Sequence, residues 1–227
     1  MTVLNDRKIC IITAVNDETQ YNAMIPYLQE LIVPAGMQLE SLVVYEADSM
    51  TSAYQQGMES SDAKYKVYLH QDAWLIEPAC LAIMIREFQQ HPEYGIAGVV
   101  GSHSIPASGI WWDGQVSGQI MDNHYYGLWR DYIFERCESA IPVKALDGLC
   151  LMTQYDIPWR EDLFTKWHFY DVSQCQEFRR RGYQAVVMPQ ANTWIMHNSG
   201  AVDMDMVNKT GYEEERQKFL QEYQKEF

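Results

Sequence analysis

Apolar positions along the chain recur in two rhythms. Residues 8–15, KICIITAV, form a nearly unbroken apolar run suited to a strand covered on both faces. The next stretch places Tyr21, Met24, Ile25, Leu28, Leu31 and Ile32 at helical spacing, with Pro26 as a point of bending. The alternation continues with a strand over 39–47, a helix over SMTSAYQQGMES that Ser49 caps, a strand over 64–71, a helix over 77–91 opened by Glu77 and Pro78, and a strand over 94–101. Further on, helical character over about 172–181 stops at Gly182, and the strand YQAVVM follows. Strands alternating with helices predict an α/β fold: a mixed, mostly parallel sheet flanked by helices, with ligands at the carboxyl ends of its strands. Polar residues stand there. The first strand runs into Asn16 and Asp17, the second into Glu46 and Asp48, and the third into His70, Gln71 and Asp72.

Neither GxGxxG nor GxxxxGK[ST] follows the first strand, so the dinucleotide-binding fingerprint and the phosphate-cradling P-loop are both unsupported. Any nucleotide must be held in another way. The formal charge of −14 argues against a nucleic acid polymer as partner, since a phosphate-backbone surface would be basic, but a local cation or a few donors could still bind a nucleotide. The five cysteines are scattered without a CxxC pair, which disfavours a disulfide framework and a zinc cage and fits a reducing, cytoplasmic setting. No membrane span or signal peptide is visible. Without a Pro/Gly/Ser linker, residues 1–227 read as one domain, with 211–227 a charged helical tail that packs on it or pairs with a second chain as a homodimer.

The order of a strand ending in VND, the segment ADSMTSAYQQGMESSDAKYKVYLHQD and the later WHFYDVSQCQEFRRRGY resembles nucleotide-sugar-dependent glycosyltransferases of the GT-A fold, of the family 2 type. More narrowly, it is similar to a bacterial glycosyltransferase-like family with SMTSAY and YLHQD segments. Family 2 enzymes have a small-residue helix carrying A-N-G, then a strand ending in Asp-x-Asp, and a later Glu-Asp a few residues before an Arg and a Gly. Ala53 with Gln55 or Gln56 and Gly57, then His70-Gln71-Asp72, then Tyr170-Asp171 with Arg179–Arg181 and Gly182 occupy those places. His70 and Tyr170 depart from the pattern.

The resemblance implies a sugar donor that is a nucleoside diphosphate sugar, a glycan or small-molecule acceptor, and a divalent cation, Mn²⁺ or Mg²⁺, across the diphosphate. Asp72 would anchor that cation, because a carboxylate at the end of a rigid strand stabilises an ion bridging two phosphates, and His197 in ANTWIMHNSG would be a second ligand. Imidazole at the metal favours Mn²⁺ over Mg²⁺. His70 would supply a nitrogen ligand or a hydrogen bond to ribose or phosphate. The resemblance places the catalytic base of inverting members at Asp171, where a carboxylate is also a good cap for the helix that follows. Asn16, Asp17, Asp48 and Ser49 would meet the base or ribose, Arg179 the diphosphate, and Asp147 in the Asp-Gly pair the sugar or acceptor. Trp111 and Trp112 are candidates for stacking on an acceptor sugar, or for filling a minor core. The expected function is therefore transfer of a sugar to an acceptor hydroxyl, by a metal-dependent and inverting route. The alternatives are an inactive nucleotide-sugar or glycan-binding module, which the His70 departure keeps open, and a nucleotidyltransferase, against which the missing Gly-rich basic loop counts.

Overall fold

The computed structural model describes residues 3–201, 207 and 209–227. Its first half follows the alternation of the pattern: β1 (Asn5–Val15), α1 (Glu18–Gln29), β2 (Gln38–Tyr45), α2 (Met50–Glu59), β3 (Ala63–Leu69), β4 (Ala73–Leu75), α3 (Cys80–Gln90) and β5 (Tyr94–Gly98). The stretch read as one strand to residue 101 is two, because the chain leaves the main sheet at Val99 and enters a second sheet as β6 (Val100–Ser102). Then come β7 (Val116–Asp122), β8 (Arg130–Glu135), β9 (Ile141–Val143), β10 (Ala145–Leu146), β11 (Cys150–Thr153), α4 (Tyr170–Arg180), β12 (Gln184–Val187), β13 (Ile195–His197) and α5 (Tyr212–Tyr223).

The main sheet has the order β2-β1-β3-β11-β5-β12-β9. It is mixed: β1 is parallel to β2 and β3, and β12 to β5, whereas β11 runs antiparallel to both of its neighbours and β9 antiparallel to β12. β11 arrives without a crossover helix between it and the preceding strands, and only an antiparallel insertion allows that. The smaller sheet, β10-β6-β7-β13-β4 with β8 on the flank of β7, stands at the carboxyl ends of β1 and β3 because β4 continues from β3 after a short turn.

Both faces of the main sheet are covered, which explains the continuous apolar run of β1. Ile9 and Ile11 join Met24 of α1 and Leu81, Met84 and Phe88 of α3, while Cys10 and Ile12 join Tyr54 and Met58 of α2 and Cys175 and Phe178 of α4. Pro26 lies inside α1 without ending it. The charged tail packs on the body: Phe219 and Tyr223 of α5 are fully buried, and the Phe219 ring lies 5.4 Å from that of Phe169. Glu215 is fully buried too, and its two carboxylate oxygens accept the backbone N–H groups of Lys166 (2.8 Å) and His168 (2.9 Å). The segment that launches α4 is thereby held by α5.

Gly57 shows why the small-residue helix matters. A Cβ there would lie 2.3 Å from Cγ2 of Ile12, so α2 sits against β1 at a distance only glycine permits. Alanine would gain up to about 1 kcal/mol of helix propensity, but overpacking a stiff β-branched neighbour costs roughly 1–3 kcal/mol. Gly57→Ala is therefore expected to lower the unfolding free energy by about 1–2 kcal/mol in urea denaturation. An unchanged or raised midpoint would show that the helix can lift off the sheet freely.

Candidate active site

The carboxyl ends of β1, β2 and β3 open onto a small pocket of about 180 Å³. Its lining includes Asn16, Glu46, Ala47, Met50, His70, Gln71, Asp72 and Trp167. Gln71 stitches the ends of two strands together: its Oε1 accepts the backbone N–H groups of Asn16 (2.9 Å) and Asp17 (3.0 Å), and its Nε2 donates to Oδ1 of Asn16 (2.6 Å).

The turn between β3 and β4 is tied down along its backbone. The N–H of His70 donates to Leu149 O (3.0 Å), that of Ala73 to His70 O (3.2 Å), and that of Asn198 to Asp72 O (2.7 Å). β13 pairs with β4 so that His197 lies opposite Ala73, and with β7 so that His197 lies opposite Asp122. The second sheet thus carries His197 to Asp72 across more than a hundred residues of chain. Nε2 of His197 is 3.5 Å from Oδ1 of Asp72, and Nδ1 of His70 is 3.9 Å from the same oxygen. One ligand atom from each of the three lies within 4.8 Å of the other two.

Behind His197 stands Asp122, whose Oδ2 accepts the Nδ1–H at 2.8 Å. Its Oδ1 accepts from Ser199 Oγ (2.9 Å) and from the backbone N–H of His124 (2.6 Å). Burial alone would favour neutral His197, but the bonds to Asp122 and Asp72 outweigh it and raise the pKa to about 10. Burial likewise opposes ionisation of Asp72, and His197 overrides it, holding the carboxyl at about 2. The same imidazolium keeps Asp122 ionised against its burial. Burial lowers the pKa of His70.

These donors fit a divalent cation. Ligand bonds near 2.1 Å put adjacent donors roughly 3 Å apart, so each imidazole nitrogen needs to close on Asp72 by less than about 1 Å and the two imidazoles on one another by less than about 2 Å. Asp122 orients His197 from behind in the manner of metal-bound histidines, leaving Nε2 turned toward Asp72.

Asp171 lies in the first turn of α4, where its Oδ1 accepts the backbone N–H of Val172 (2.8 Å). The helix is launched by Phe169 in the left-handed region (φ 57°) without a side-chain cap. Burial, with the charge of Asp147 added, pushes the Asp171 carboxyl up to about 7, against backbone N–H bonds that lower it. Asp147 itself bends the turn before β11, accepting the N–H of Leu149 at 3.0 Å. Tyr170, one residue before Asp171, is buried and its hydroxyl meets Nε2 of His70 at 2.5 Å.

The remaining candidates fall elsewhere. Asp17 is exposed and caps α1, accepting from Thr19 and Gln20 N–H; Ser49 caps α2 in a reciprocal capping box with Ser52. Asp48 is exposed and does not line the pocket, whereas Glu46, with φ 53°, does. Arg179 bonds Gln176 at the far end of α4, eight residues past Asp171 and so about 12 Å along the helix. Its neighbours Arg180 and Arg181 pair with Glu177. Trp111 belongs to the core; Trp112 is half exposed, with its ring 6.2 Å from that of Tyr212. Asp122 was not among the expected residues. It ends a strand with a polar residue as Asp72 does, but inside a stretch so rich in glycine and aromatics that no strand was legible there.

The chain belongs to the Glycosyltransferase like family, whose profile matches residues 10–223. A search of curated proteins gives no match. Solved structures share the fold at low identity. Staphylococcus aureus TarS 1–349 in complex with UDP aligns with TM-score 0.54 at 9% identity, over 89% of this chain and 63% of that one. The Pyrobaculum calidifontis mannosyltransferase PcManGT in complex with GDP-Man and Mn²⁺ aligns with TM-score 0.51 at 10% identity, over 85% and 56%. A mutant Drosophila beta-1,4-galactosyltransferase 7 in complex with manganese, UDP-Gal and xylobiose gives 0.50 at 12%, over 84% and 70%. The chain thus spans little more than half the length of the first two. The neighbours are GT-A glycosyltransferases, and this chain has their mixed α/β architecture. No helix among the described residues is long and apolar enough to cross a membrane.

The elevated Asp171 pKa has a consequence for stability. A carboxyl that titrates near 4 when unfolded and near 7 when folded contributes stability that is complete at low pH and is lost as pH rises through 7. Asparagine keeps the Val172 bond and does not titrate. Asp171→Asn is therefore expected to melt with the wild type near pH 4 and progressively above it up to pH 8, by on the order of 2–4 kcal/mol at most. Thermal melts across that range check it, and parallel curves would mean the carboxyl is not held neutral.

Proposed function

We propose that this protein transfers a sugar from a nucleoside diphosphate sugar to an acceptor hydroxyl with inversion, using a divalent cation held by Asp72, His197 and His70. The observation that carries this reading is the meeting of those three side chains, two of which, His70 and Asp72, line the pocket formed by the ends of β1, β2 and β3. The reading is supported by family membership and by nucleotide sugars and Mn²⁺ in structures of the same fold. When bound, the cation offsets the charge of the diphosphate and so stabilises it as the leaving group.

The chain's own residues divide the remaining tasks. Asn16, Glu46 and Gln71 line the pocket and would meet base or ribose, and Trp167 completes the lining. Asp122 fixes the ring of His197. Asp171 takes the proton of the attacking acceptor hydroxyl; a carboxyl poised near 7 is both ionised enough to accept it and basic enough to be effective. The attack is then a single in-line displacement, which inverts the anomeric centre. Two nitrogen donors in the cluster favour Mn²⁺ over Mg²⁺.

Two experiments test this. Titrating UDP and GDP with and without Mn²⁺ should show cation-dependent binding that Asp72→Asn abolishes, while Asp122→Ala weakens cation affinity by roughly 10–100-fold. Nucleotide affinity indifferent to Mn²⁺, or unaltered in Asp72→Asn, would falsify the metal role. With a donor found from a panel of nucleoside diphosphate sugars, Asp171→Asn should keep donor affinity and slow transfer by about 10²–10⁴-fold. The wild-type rate should rise with pH, half-maximal near 7 and level by about pH 8 to 9, since the base works only when deprotonated; full transfer by Asp171→Asn removes it from the mechanism.

A further inference from the structure

Tyr170 is the first residue of α4, 4% exposed, and its ring is packed edge-on against Tyr54 at 5.8 Å and beside Trp159 at 6.3 Å. Its hydroxyl has one place to go. A Cβ on Gly148 would lie 2.1 Å from that oxygen, so the Asp-Gly turn before β11 leaves a slot only as wide as the tyrosine tip. At the end of the slot the hydroxyl meets Nε2 of His70 at 2.5 Å. The other ring nitrogen of His70 is the one on the Asp72 side, 3.9 Å from Oδ1.

We propose that Tyr170 is the positioning residue for His70. Its hydroxyl engages Nε2, so the ring cannot flip and Nδ1 is presented to the cation site. For Nδ1 to offer a lone pair, the proton of the neutral ring must sit on Nε2 and be donated to the Tyr170 oxygen. The contact also joins two halves of the site that are a hundred residues apart: the cluster on the β3–β4 turn is bonded to the very helix turn that carries Asp171. An imidazole that lost this bond would be free to rotate, and an ordered nitrogen ligand would become a disordered one.

This inference rests on the cation role proposed above, and the tests keep the two apart. In ¹⁵N spectra of the wild-type protein without metal, neutral His70 should be the Nε2–H tautomer; an Nδ1–H tautomer overturns the proposal without any mutation. Tyr170→Phe keeps the ring and removes the hydroxyl. Mn²⁺ affinity, measured from the free-ion EPR signal in the absence of nucleotide, should fall about tenfold in this variant, and the His70 tautomers should become mixed. Gly148→Ala, which displaces the hydroxyl while leaving it in the chain, should give the same two changes. Asp72→Asn serves as the reference. If Asp72→Asn weakens Mn²⁺ binding and Tyr170→Phe only lowers the melting temperature, Tyr170 is packing alone and the proposal is wrong. If neither variant alters Mn²⁺ binding, the cation role itself is wrong and the positioning role falls with it.

Discussion

A carboxylate buried at the end of a strand is the constraint around which the rest is arranged. Asp72 lies in a turn whose backbone is fixed at three points, from the loop before β11, from within the turn itself and from the segment after β13. Desolvation favours its neutral form, and the imidazolium of His197, with smaller help from His70 and a backbone N–H, keeps it charged. That imidazolium depends in turn on Asp122. Two carboxylates thus share one cationic ring, with a second imidazole alongside; in the proposed role a cation would take the place of the His197 proton that faces Asp72.

Assembling it requires the second sheet. β4 is only three residues long, yet it accepts β13 along its edge, and β13 in turn accepts β7, so three short strands deliver His197 and Asp122 beside a turn that belongs to β3. The main sheet has a different task. Covered on both faces by α1 and α3 and by α2 and α4, it holds the ends of β1, β2 and β3 level, and Gly57 allows α2 to lie flat enough for its N-terminus to reach the pocket rim at Met50. α5 contributes from outside: by holding the N–H groups on either side of Trp167 with Glu215, it sets that wall of the pocket and the approach to α4 together.

The main sheet was legible because its signal is local. β1, β2 and β3 and helices α1 to α3 each declare themselves through their own period, and the polar residues at their ends mark the pocket, His70 and Asp72 among them. The smaller sheet was not, since its strands are two to seven residues long and interrupted by glycine and aromatic residues, and pairing between such strands is decided by partners far away in the chain. Asp122 was therefore invisible although its chemistry is the same as that of Asp72. At two of the strand-end candidates the structure shows a local role: Asp17 caps α1, and Ser49 caps α2 as its place before that helix predicts. Arg179 was read from a run of charge on a helix, where period alone sends each residue to a different face and where distance along the axis decides.

His70 and Tyr170 looked, in the sequence, like two unrelated departures from the pattern of the family, an imidazole where it has aspartate and a phenol where it has glutamate. In the fold they touch. Two carboxylates at those places would repel one another in a poorly solvated pocket unless a cation lay between them, whereas an imidazole and a phenol attract without one. The exchange removes two negative charges from a site that already holds Asp72, Asp122, Asp147 and Asp171. It also keeps a donor atom directed at Asp72, on a ring whose other side is fixed. An imidazole and a phenol satisfy one another without adding net charge, so the two departures read together as one hydrogen-bonded pair that fixes the ring of His70 beside Asp72.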